Sequence, residues 1–243
     1  MGKNKAVDTA IVVAIIGLVG TIIAALISSP WLGDKLGTPT EPVPATAIPT
    51  TSTGPTLSTN TTLVFQEDFE DTAASGIAFG VGMWEIVKDK ANHVLQVTAD
   101  TPSQNVLADA VFGPADFSSG IIEFKLKFIE PGKVYLNFRE QDGPGYFLLL
   151  DMVGGQIVLG YKSPGANGLM DYAALAAQSA TFLTGTSYLV NLEVRGEQMT
   201  VSVDNNRIFS ASDPRLLLGR LTLTASSGTV ASFDDIQVWS FGP

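Results

Sequence analysis

Apolar and polar side chains alternate strictly along residues 121–128: Ile122, Phe124, Leu126 and Phe128 take one side, and Glu123, Lys125 and Lys127 take the other. A period of two is that of a β-strand with one face buried. Similar short runs recur at 63–69, 93–99, 106–112, 133–139, 146–152, 156–161, 188–195, 199–204, 220–225 and 231–239. Turn-forming pairs stand between them at hairpin distance, among them Pro131-Gly132, Asp142-Gly143, Gly154-Gly155, Arg195-Gly196 and Asn205-Asn206. Many short strands at this spacing predict an all-β fold, a two-sheet antiparallel jelly-roll sandwich. Only residues 169–178, short and Ala-rich, read as helical. In 133–139 the alternation sends Val134, Leu136 and Phe138 inward and Tyr135, Asn137 and Arg139 outward. The run 146–152 is apolar on both sides, which predicts a central strand that is covered or floors a groove.

The pattern before residue 63 is different in kind. Residues 10–27 carry no charge, and at about 1.5 Å per helical residue they approach the thickness of a bilayer's hydrocarbon core once Ser28 and Ser29 are added. A transmembrane helix over residues 10–29 is therefore predicted, in contact with the lipid bilayer. Lys3 and Lys5 make residues 1–9 a short cytoplasmic tail and place the C-terminal part outside, as a single-pass membrane protein. A cleaved signal peptide is the rival reading, but the apolar run exceeds the usual core of about 7–15 residues and no clean small-x-small site follows it. Residues 30–62 are rich in Thr, Pro and Ser, and from 37 to 62 Glu41 is the only charge. Such a stretch predicts a disordered stalk, leaving 63–243 as the sandwich.

Composition narrows the chemistry. Among 243 residues there is no Cys and one His, His93, which removes disulfide scaffolds, thiolate sites and multi-histidine metal centres. With 24 acidic against 14 basic side chains the net charge is −10, and the basic footprint of a nucleic-acid binder is missing. There is no Gly-x-Ser-x-Gly elbow and no phosphate-binding glycine pattern. Binding, structural roles and carboxylate chemistry remain.

The segments FQEDFED (65–71), FREQDGPGYFLLLD (138–151), SYLVNLEVRGEQMTVSVDNNRIFSASD (187–213) and GTVASFDDIQVW (228–239) together resemble the concanavalin A-like lectin/glucanase superfamily. The laminin-G-like modules and the 3-keto-disaccharide hydrolase-like domains are nearest in character, and the resemblance spans nearly all of 63–241. That superfamily hosts lectins, hydrolases and spacers, so the resemblance implies a fold more than an activity. Laminarinase-type members carry Glu-x-Asp-x-Glu on one strand, whereas this chain has Glu123-Phe-Lys125-Leu-Lys127, which argues against that retaining mechanism. A carboxylate pair drawn from separate strands, Glu123 with Asp151 or Glu140, stays open as a glycoside hydrolase alternative.

The favoured expectation is non-catalytic binding of carbohydrate or another cell-envelope component, with a structural or docking subunit of a larger membrane complex as a further alternative. Glu123, Lys125, Tyr135, Asn137 and Arg139 are the candidate sugar contacts, Tyr135 as a stacking platform and its neighbours as hydrogen-bonding groups. The same residues also suit a solvated strand face with cross-strand charge pairs. Glu67 and Asp234 fall on rows shared with apolar residues, where an unpaired carboxylate is costly. The resemblance implies a structural Ca²⁺ there, held by Asp234 in the last strand with Glu67 and the carbonyl of Gly82.

Overall fold

The computed structural model describes residues 61–99, 107–166 and 168–242. The expected membrane segment at 10–29 lies outside the described residues, as does nearly all of the stalk. Among the described residues no helix is long and apolar enough to cross a membrane. The chain from residue 61 forms fifteen strands: β1 (Thr61–Glu67), β2 (Ile77–Phe79), β3 (Met83–Asp89), β4 (Asn92–Thr98), β5 (Ala108–Phe117), β6 (Gly120–Phe128), β7 (Lys133–Glu140), β8 (Gly145–Asp151), β9 (Gln156–Pro164), β10 (Met170–Ser179), β11 (Ser187–Arg195), β12 (Gln198–Val203), β13 (Asn206–Ser212), β14 (Gly219–Ala225) and β15 (Val230–Phe241).

Every pairing is antiparallel, in two sheets. The first runs β13-β12-β11-β6-β15-β4-β3, with β1 paired to the second half of β15; the other runs β10-β9-β8-β7-β14-β5-β2. The inward rows predicted from alternation meet between them. Ile122, Phe124, Leu126 and Phe128 of β6 pack with Val134, Leu136 and Phe138 of β7, all of them fully buried, in one core that also takes in Leu95, Leu148, Leu192, Leu223 and Phe233. Each such side chain contributes about 1.5–3 kcal/mol over its exposed state, which is why the core fixes strand register so firmly. The Asp204-Asn205 turn between β12 and β13 has φ of 50° and 62°, the left-handed pair that a two-residue hairpin of this type requires and that Asp and Asn tolerate.

The structure corrects the sequence reading at several places. Residues 169–178 are not helical: β10 pairs with β9 along its length and turns Leu175 onto the core, so tertiary pairing overrides the helical preference of its alanines. The sandwich begins at Thr61, inside the segment expected to be stalk. Strands β2, β3 and β13 escaped the alternation because they are short or half-exposed edges with mixed faces.

Candidate functional site

β7 and β14 lie side by side in the middle of the second sheet, and their outer faces build a groove of about 400 Å³. From β14, alternation sends Leu221 and Leu223 into the core and leaves Arg220, Thr222 and Thr224 outward. From β7, Tyr135 and Asn137 point outward as expected, opposite Thr224 and Thr222. Asn137 donates to the Thr224 hydroxyl at 2.7 Å, so the row is organised before any ligand arrives.

Arg139 breaks the pattern. β7 carries one more residue than β14 between the pairs Asn137–Thr222 and Glu140–Arg220, and Arg139 takes a left-handed φ of 49° at that bulge. Its side chain is 0% exposed, and its guanidinium donates to the carbonyls of Ser118 at 2.9 Å, Leu216 at 2.9 Å and Gly196 at 2.6 Å. Arg139 is therefore a buried clamp on three loop and turn carbonyls, not a sugar contact. Glu140 takes its place on the outer face. The Glu140 carboxylate accepts Lys162 Nζ at 2.8 Å on Oε1 and the Thr222 hydroxyl at 2.9 Å on Oε2, with Arg220 Nε 3.6 Å away. Burial alone raises its pKa, but the Lys162 ammonium, the Thr222 hydroxyl and Arg220 together outweigh it and hold the carboxyl below its usual range.

Tyr135 and Tyr172 also line the groove, with the buried Phe147 packed between them. Tyr135, Phe147 and Tyr172 form a chain of edge-on contacts, with centroids 6.3 Å and 5.5 Å apart. Phe147 lies across Gly160, where an added Cβ would stand 2.3 Å from its ring. Tyr172 on β10 is 55% exposed and lines the groove. Burial, with the nearby negative groups, raises the pKa of both tyrosines, so they stay protonated donors at neutral pH. Asp109 closes one end, its carboxylate accepting the Val81 N–H at 2.9 Å where Gly80 leaves room for it. Lys162, Tyr172, Arg220, Thr222, Thr224 and Asp109 were not foreseen as site residues, and Glu140 was considered only as a carboxylate partner of Glu123. The alternation in 220–225 could have supplied three of them.

The remaining predicted residues lie elsewhere. β6 belongs to the first sheet, so Glu123 and Lys125 sit on the opposite outer face of the sandwich and share no groove with Tyr135 and Asn137. There Glu123 accepts Asn191 at 3.1 Å, Lys125 pairs with Asp235 and, at 3.8 Å, with Asp234, and Lys127 pairs with Asp89. The same division separates Glu123 from Asp151 and Glu140 and removes the carboxylate pair considered from the sequence. Asp151 is itself held by the Gly154 N–H and Lys133 at the end of β8.

The proposed metal ligands do not form a cage. Asp235, at φ 47°, is a bulge in β15 that turns Asp234 outward, beside Lys125 and Asn92 Nδ2 at 2.9 Å, instead of onto the row of Ile236 and Val238. Glu67 spends its two oxygens on the Phe69 and Ser75 N–H groups, at 2.9 and 2.6 Å. Gly82, at φ 98°, packs tightly on Ala108 of the other sheet. No group of three or more His, Asp or Glu side chains among the described residues is placed to hold a metal ion.

No protein-family model matches the chain, and no curated protein does. Solved structures do. The carbohydrate binding module CBM66 from Bacillus subtilis superposes with a TM-score of 0.53 at 16% identity, covering 66% of this chain and 93% of that one. A Bacillus subtilis protein of unknown function with a galectin-like fold gives 0.56 at 13%, covering 72% and 94%. A glycoside hydrolase family 16 endo-glucanase from Bacteroides ovatus gives 0.55 at 13%, covering 72% and 99%. The domain thus has the concanavalin A-like sandwich fold, as the sequence resemblance implied. Identities this low establish the fold and leave function to the site.

Proposed function

We propose that the domain recognises carbohydrate, without cleaving it, in the groove on the outer face of the second sheet. The observation that carries this reading is the pairing of an aromatic flank, Tyr135 and Tyr172 backed by the buried Phe147, with a row of amide, hydroxyl and charged groups, Asn137, Thr222, Thr224, Glu140 and Lys162, across one shallow groove. A pyranose has an apolar face to lie on a ring and a rim of hydroxyls for such a row. Binding modules and glucanases share this fold, and the groove's carboxylates favour the former. Asp109 and Glu140 are opposite Thr224 and Arg220, four residues apart along β14 and on opposite sides of it. At about 3.3 Å per residue and 4.8 Å per strand their backbones stand roughly 15 Å apart, against the ~5–9.5 Å between carboxyls that glycoside hydrolysis uses. Glu140, held ionised by Lys162, is also a poor proton donor.

Residues 10–29, read as a membrane anchor, would display the domain outside the cell, with an envelope glycan as its partner. The test is calorimetric titration of the full-length chain in mild detergent with an oligosaccharide panel. Tyr172→Ala is expected to weaken binding about tenfold, from the loss of one aromatic contact. Lys125→Ala on the far face is expected to leave it unchanged. Absence of binding to every glycan, or an equal loss from both substitutions, would overturn the proposal.

A further inference from the structure

The groove holds a cation whose side chain is ion-paired at long range but donates no hydrogen bond among the described residues. Glu140 is already satisfied, Oε1 by Lys162 and Oε2 by Thr222. The Arg220 side chain stands beside it with no hydrogen bond to any described residue. Its Nε is buried without a partner, 3.6 Å from Glu140 Oε2, and its Nη1 is 3.7 Å from Asp142, a fully exposed side chain whose charge water screens. A guanidinium offers five donors in a planar fork suited to carboxylate and similar oxyanions, and a buried N–H left unpaired costs free energy. The groove thus carries two cations, Lys162 and Arg220, beside Glu140, while its second carboxylate, Asp109, lies at the far end on the Val81 N–H, in a chain whose net charge is −10.

Resting on the sugar-binding reading above, we infer that the ligand is an anionic saccharide, whose carboxylate or sulfate ester docks on Arg220 while its ring lies against Tyr172. Within a Debye length of about 8 Å the acidic surface repels the further charges of a densely charged polymer, so the fitting chemistry is an isolated anionic group on an otherwise neutral oligosaccharide.

The experiment titrates the full-length chain with tetrasaccharides carrying one uronic acid, the same compounds as methyl esters, tetrasaccharides carrying one sulfate ester, and their desulfated forms. The charged member of at least one pair is expected to bind about ten- to a hundredfold more tightly than its neutral form. The pair that shows the preference identifies carboxylate or sulfate as the anion. Arg220→Gln, at a side chain 41% exposed and free of hydrogen bonds, is expected to fold normally and to bring the charged and neutral forms to equal affinity; Arg220→Lys is expected to restore part of the preference. Equal binding of charged and neutral forms, or a preference that survives Arg220→Gln, would overturn this inference while leaving sugar recognition standing. No binding of any oligosaccharide would overturn both.

Discussion

Replacing Arg139 by Met tests whether this residue holds the fold or serves the ligand. The side chain is fully buried, has no carboxylate partner, and satisfies the carbonyls of Ser118, Leu216 and Gly196, which belong to three separate connections around the sandwich. Methionine fills much of the same space but leaves those carbonyls without donors. At about 1.5 kcal/mol for each, partly offset by no longer burying a charge, the expected loss is about 3 kcal/mol. A folded unit of about 180 residues has an unfolding entropy near 0.38 kcal/mol/K, so Tm should fall by about 8 °C. Urea unfolding should show the same loss as a lower midpoint at unchanged slope. Affinity for a bound oligosaccharide, measured well below the lowered Tm, should match the wild type because no Arg139 atom reaches the groove. A loss under about 0.5 kcal/mol, or weakened sugar binding in a folded variant, would refute this account.

Other consequences are as direct. Asp213 is held at about 2, chiefly by hydrogen bonds from Arg215 and despite burial, so its contribution to stability is present above pH 4 and lost as pH falls from about 4 to 2. Tyr146, raised to about 12 by burial and by Asp213, contributes below pH 10, and that contribution is lost as pH rises from about 10 to 12. Asp213→Asn should therefore flatten the acid limb of a urea-midpoint profile and Tyr146→Phe the alkaline limb; unchanged limbs would sink both assignments. Gly160→Ala would set a methyl against the Phe147 ring and, at 2.6 Å, the Ala173 carbonyl, costing about 1–3 kcal/mol and displacing Tyr172, so Tm and sugar affinity should fall together. Because the partners of Glu67 and Asp234 are all supplied by the chain, EDTA should leave Tm unchanged to within a degree, and a larger drop would show that an ion is bound after all.

The sandwich was legible from residues 121–128 and 134–138, where alternation meets a deep core and register has one solution. The site was half legible. Tyr135 and Asn137 were placed correctly on an outer face, but alternation says which side of a strand a residue takes, not which sheet the strand joins. Hence consecutive strands β6 and β7 looked like neighbours although they lie in opposite sheets. The misplaced residues share another cause. Arg139, Asp235 and Val64 each stand where one strand carries an extra residue, and the strict period of two fails beyond that point. Bulges with left-handed backbone are usually announced by glycine; here Arg139 and Asp235 adopt it, held by their surroundings, and no local signal marks the spot.

That extra residue in β7 also determines which changes of chain length the groove survives. Up to Asn137 the outward positions are odd-numbered; at Glu140 they have become even. Loss of one codon at the bulge would merge the two phases into a regular strand with Tyr135, Asn137 and Glu140 all still facing outward. Loss of one codon at Leu136 would force everything on one side of the cut to exchange faces, carrying either an aromatic or a carboxylate under the sheet. Descendants of this sequence are therefore freest to shorten at the point where its rhythm is already broken.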